Sequence, residues 1–204
     1  MWVHLIFINY ANKRNQMAII LEKGGTINLN KESEGLRNIH VGLGWDAEDS
    51  NGREIDCDVS LFMINENNKI PGEGFFVFYN NLNSSDGAVI HQGDNRTGEG
   101  EGDDEVIKIN LSNVSSDIIQ MIFVVTIHDA EKNNQSFSMV NNAFIRIVDL
   151  DAKSELCSYQ LNDQFSDADS IQIGRIYRYD NSWHFEALEQ GFTGGLQTLL
   201  GMYY

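Results

Sequence analysis

Apolar residues in this chain come in short runs, and nearly every run is closed by a cluster of Gly, Asn, Asp or Ser; a single Pro stands against 18 Gly. A chain punctuated this way builds strands, because it leaves no length over which to wind a long amphipathic helix. Strands are expected over 19–22, 26–29, 38–43, 57–65, 74–79, 106–111, 121–127, 143–148, 155–161, 171–179 and 183–188. Helical spacing is confined to 136–141 and 195–200, where Leu196, Leu199 and Leu200 stand at i, i+3 and i+4. The fold class that follows is mainly β: an antiparallel β-sandwich of two sheets with one or two short peripheral helices. The runs 75–79 and 121–127 are apolar on both faces, the pattern of central strands covered on each side.

The charge narrows the function. Fourteen Lys+Arg against 30 Asp+Glu leave a formal net charge of -16, which repels phosphate backbones and excludes nucleic acid as a partner. Contact with anionic lipid is for the same reason only indirect or bridged by a cation. A hydrophobic fraction of 42% over 204 residues suffices for a packed core and a single domain, placed at 17–204, with 1–16 read as an extension or artefact outside the fold. No basic region precedes the apolar stretch 1–8 and no cleavage pattern follows it, so no signal peptide is expected. Cys57 and Cys157 are too far apart for a CxxC motif and read as small buried hydrophobes rather than a disulfide.

Acidic residues concentrate in 94–105, where Asp94, Glu99, Glu101, Asp103, Asp104 and Glu105 share the segment with one Arg, and Gly98, Gly100 and Gly102 alternate between them. Alternating glycine lets a backbone turn its carbonyls inward, and calcium takes about six to eight oxygen ligands from carboxylates, carbonyls and amides. The segment is not an EF-hand, since Arg96 and Glu99 occupy positions that need an oxygen donor and a glycine. Nor is it a phosphate cradle, because no Lys-Ser/Thr follows and the glutamates repel phosphate. Magnesium keeps more water than so crowded a donor set allows, and zinc lacks its nitrogen and sulfur ligands.

Further oxygen donors stand at strand ends. If consecutive strands run antiparallel, Asp56, Asn80, Glu105 and Asp129 share one end of the sandwich, and period two puts Asp56 and Asp58 on one strand face. The metal ligand candidates are therefore Asp46, Asp56, Asp58, Asn80, Asp94, Asn95, Gly98, Glu99, Gly100, Glu101, Asp103, Asp104, Glu105 and Asp129. His128 beside Asp129 invites a catalytic reading, but no nucleophile accompanies it and no enzyme activity is expected. His4, His40, His91 and His184 lack metal-ligand spacing and read as ordinary histidines.

Several segments together resemble the TerD family of bacterial tellurium-resistance and general-stress proteins: Glu22-Lys23-Gly24-Gly25, Val41-Gly42-Leu43-Gly44-Trp45-Asp46, Asp56-Cys57-Asp58, Phe76-Val77-Phe78-Tyr79-Asn80-Asn81, the acidic run from Gly93 to Glu105, Ile127-His128-Asp129-Ala130 and Asn142-Ala143-Phe144-Ile145-Arg146. The resemblance implies a β-sandwich that binds calcium at one end, one or two ions, and acts in the cytoplasm in stress responses that include tellurite tolerance. The function expected is a non-catalytic calcium-binding module presenting a surface to other stress or tellurium-resistance proteins. Two alternatives stand beside it: calcium-dependent peripheral membrane association, and a cation-assisted small-ligand or phosphate-binding protein or enzyme.

Overall fold

The computed structural model describes residues 18–46, 54–93, 102–161, 165 and 167–204. Along the chain these form β1 (Ile19–Leu21), β2 (Thr26–Asn28), β3 (Asn38–Gly44), β4 (Cys57–Asn65), β5 (Phe76–Val77) and β6 (Val89–His91). They continue as β7 (Glu105–Asn110), β8 (Ile118–Ile127), β9 (Phe144–Asp149), β10 (Ser154–Gln160), β11 (Ser170–Tyr179) and β12 (Ser182–Phe192). One sheet has the order β1-β10-β9-β3-β7-β6 and the other β2-β12-β11-β8-β4-β5. All pairings are antiparallel except β1 with β10, which is parallel. The sandwich read from the punctuation is therefore the fold, with one parallel pairing at its edge.

Alternation sorts the side chains. In β9, Ile145 and Ile147 point into the core while Phe144, Arg146 and Val148 stand on the outer face; in β7, Ile107 and Ile109 point in and Lys108 points out. Opposite them the second sheet contributes Val59, Leu61 and Met63 of β4, Phe123 and Val125 of β8, and Ile171, Ile173 and Phe185 from β11 and β12. Cys57 and Cys157 are both buried and free, as small hydrophobes should be.

The outer face of the second sheet is also covered. The helix Gly195–Tyr203, with Leu199 and Tyr203 turned inward, lies on Phe62, Ile64, Ile122 and Val124 to make a second apolar cluster. This explains why β4 and β8 are apolar at both parities. It also corrects the placing of 75–79 as a central strand: β5 is a two-residue edge strand, buried on both sides because Phe76 joins the helix-side cluster while Val77 joins the main core. The segment 136–141 holds a 3-10 turn, Phe137–Met139, and two further one-turn helices, Leu29–Glu32 and Ala130–Asn133, are too short to leave a helical period in the sequence.

Candidate cation-binding end

β3 and β7 deliver the candidate residues to one end of the sandwich. Their register sets Leu43 opposite Glu105 and Gly42 opposite Val106, so Asp46 leaves β3 where Asp103 and Asp104 enter β7. β4 and β8 end on the same side: Cys57 faces Ile127, and the His128 amide donates to the Asp56 carbonyl at 2.7 Å. Convergence shows in the electrostatics of Cys57, whose thiol is pushed well above its usual value, first by burial and then by Asp56, Asp58, Glu105 and Asp104.

Three consecutive acids at the mouth of β7 nevertheless go to three places. Glu105 points into the core, 1% exposed, and its Oε2 accepts the Val59 amide at 3.0 Å and lies 3.3 Å from His91 Nε2. Because the Gly93 amide donates to His91 Nδ1 at 3.1 Å, the neutral ring carries its proton on Nε2, where it can donate to the Val59 carbonyl or to Glu105. Burial pushes the Glu105 carboxyl upward against these hydrogen bonds. Asp104 accepts the Trp45 amide at 2.8 Å and donates its own amide to the Leu43 carbonyl. Its carboxyl is also raised, by burial first, with the charges of Asp103 and Asp46 adding to it and the Trp45 bond opposing. Asp46 itself is exposed and accepts from Asn142 Nδ2 at 2.9 Å.

Asp103 crosses to the outer face of the first sheet. The ladder stops at Glu105 and Gly102 adopts φ +125°, a left-handed value that glycine takes without strain. There Arg146 Nε donates to Oδ1 at 2.7 Å, Nη2 donates to Oδ2 at 2.9 Å, and His40 Nε2 lies 2.6 Å from Oδ2. His40, read from sequence as ordinary, thus belongs to the acidic end, and Arg146 joins it from two strands away. Glycines 42 and 44, alternate on β3, were the available signal: bare positions on one strand face announce something lying across it.

The remaining donors gather on the outer face of the second sheet. Asp58 Oδ2 lies 3.5 Å from His128 Nδ1, and Asp129, at φ +50°, pairs with Lys132 at 2.7 Å, which holds the exposed Asp129 carboxyl below its usual range. Both border an open cleft shared with Tyr79 and Asp169. Asn80 is exposed in the turn after β5. Asp94, Asn95, Gly98, Glu99, Gly100 and Glu101 lie outside the described residues. Among the described residues, no three His, Cys, Asp or Glu side chains are grouped to hold an ion by themselves, and no helix is long and apolar enough to cross a membrane.

The same arrangement can be set against known proteins. A family model described as the TerD domain matches residues 17–203. The tellurium resistance protein TerD of Serratia marcescens is 46% identical over 187 residues, covering 92% of this chain and 97% of its own. General stress protein 16U of Bacillus subtilis (strain 168) is 44% identical over 181 residues, covering 88% and 94%. Among solved structures, a homologue of telluride resistance protein (TerD) from Streptomyces coelicolor A3(2) superposes with a TM-score of 0.62 at 22% identity, over 81% of this chain and 96% of that one, a likeness of fold. With a domain match from end to end of the sandwich and relatives of this identity and coverage, the chain belongs to the TerD family of tellurium resistance and general stress proteins.

Proposed function

We propose that the chain is a calcium-binding, non-catalytic stress protein of the cytoplasm, contributing to tellurite tolerance through partners that recognise its ion-loaded acidic end. The observation that carries this reading is that β3, β4, β7 and β8 bring Asp46, Asp56, Asp58, Asp104 and Glu105 to one end of the sandwich, where Asp104, Glu105 and the Cys57 thiol are raised first by burial and further by neighbouring carboxylates. Carboxylates so placed are relieved by a hard cation, and the donor set is all oxygen, as calcium requires. Asp104 and Asp46 would hold an ion at the end of β3, with the oxygens that the sequence supplies in 94–101, and Asp56 and Asp58 would hold a second at the start of β4. The ion supplies charge neutralisation and order at this end; the chain's own residues set where the donors stand. Two free buried thiols support a reducing compartment.

The test is calorimetric titration of calcium, with magnesium in parallel, into chelator-treated protein, and melting with and without each ion. Saturable calcium binding with a raised melting point is expected. A ligand that binds only the native state adds about 2.7 kcal/mol at a hundredfold excess over Kd. Asp104→Asn and Asp58→Asn should each weaken it. Calcium heats no larger than those of magnesium, with an unmoved melting point, would remove the calcium reading.

A further inference from the structure

Asp103 sits in the middle of the acidic run, and by composition it is as good a ligand as its neighbours. Its surroundings are different. The carboxylate is 5% exposed and spends both oxygens on Arg146 and His40. A carboxylate offers about four lone-pair directions, and three are taken here by donors that are themselves cationic or can become so. The seat beneath it is also built. A Cβ on Gly42 would lie 2.2 Å from Asp103 Cγ, so only glycine at this position leaves the space that the carboxylate fills. Arg146 is fixed in turn by Glu155, 3.3 Å from Nη1, on the adjacent strand. Immediately after this contact the backbone is tied to β3, by the Asp104 amide to the Leu43 carbonyl and then by the ladder from Glu105 onward.

We propose that Asp103 is the anchor of the acidic run rather than one of its ligands, and that Arg146, gripping it over Gly42, is a positioning residue for the cation-binding end. This rests on the calcium reading above. Arg146 acts through Asp103: the side-on fork holds the chain at 103, which fixes the point where Asp104 turns toward Asp46. A ligand role for Asp103 would instead have the ion share the two oxygens that Arg146 and His40 already hold, so that the guanidinium charge opposes binding. The two roles therefore differ in sign. If Asp103 anchors, removing Arg146 weakens calcium binding; if it ligates, removing Arg146 frees it and binding holds or tightens.

The experiment is a double-mutant cycle read by calcium calorimetry on the full chain, with Arg146→Gln, Asp103→Asn and both together, and with melting recorded in chelator. Loss of a residue that orients ligands lowers metal affinity by roughly 10- to 100-fold, so each single variant is expected to weaken Kd by at least about tenfold, and the pair to cost no more than one. Gly42→Ala, whose methyl takes the carboxylate's seat, should weaken binding alike. Arg146→Lys, which keeps a charge but loses the fork, serves if Arg146→Gln does not fold and should fall between it and the parent. As a control, Arg175→Gln breaks a 2.7 Å pair with Glu186 on the other sheet and should leave Kd unchanged within about twofold. Calcium affinity equal or tighter in Arg146→Gln, with Asp103→Asn weakened, overturns the anchor and makes Asp103 a ligand. Absence of calcium binding in the parent chain removes the reading on which the anchor rests, and the inference with it.

Discussion

Glycine at alternate positions strips one face of a strand, and what lies there decides whether the residue can change. Over Gly44 of β3 it is the ring of Phe144, 2.5 Å from where a Cβ would sit, with the Gly102 carbonyl at 3.2 Å. The strand cannot recede, being paired on both sides, so Gly44→Ala must displace the ring. Overpacking of this kind costs about 1–3 kcal/mol; urea unfolding should show that loss, and a change within experimental error would mean that Phe144 swings aside freely. The two cysteines make a second case. Burial, with Glu155 and Glu32 adding to it, pushes the Cys157 thiol up to about 12, and Cys57 is also raised well above its usual range. Only the thiolate is nucleophilic, so iodoacetamide near neutral pH should label neither thiol in the native protein and both in denaturant. Rapid labelling of the native chain would contradict the burial of both.

The helix Gly195–Tyr203 shows how an element can depend on a distant residue. It begins on Gly194 and Gly195, at φ +95° and +62°, and no side chain at its N-cap position satisfies its first amides. Asp169, just before β11, accepts the amides of Gly194 and Gly195 at 2.9 and 2.8 Å. Asp169→Ala is therefore expected to destabilise by about 1 kcal/mol, the usual loss for a cap, measured by urea unfolding in chelator. A null effect would show that Leu199 and Tyr203 hold the helix unaided. What could be read from the sequence follows the same physics. β7, β9 and β12 announce themselves because a face on the core and a face on water enforce period two, and 195–200 does so through the spacing of its leucines. The one-turn helices leave no period, and the edge strand Phe76–Val77 reads as central because a helix covers its outer side. At the acidic end, parity brings Asp56 and Glu105 to a shared edge of the sandwich. It is silent beyond the ladder, where Asp103, Asp104 and Glu105 part, and it cannot foresee His40 and Arg146, which come from far along the chain.

Charge acts on the molecule as a whole. With a net charge of -16 the folded state gathers more repulsion than the open chain, and the part carried by exposed carboxylates is screened by salt over about 8 Å at physiological ionic strength. The Arg146 to Asp103 pair, nearly closed to solvent on the carboxylate side, is screened far less. Sodium chloride added to chelator-treated protein should then raise the melting temperature from low salt upward and level off once exposed charges are screened. Calcium at concentrations too low to alter ionic strength should add a further increment that sodium cannot reproduce, because a chelated ion neutralises the crowded end itself and not the surface at large. If salt alone brings the protein to its calcium-loaded melting point, general repulsion accounts for the whole effect and the acidic end has no site of its own. If salt lowers the melting point, exposed ion pairs such as Asp129 to Lys132 outweigh the repulsion, and the excess charge is better distributed than its sum implies.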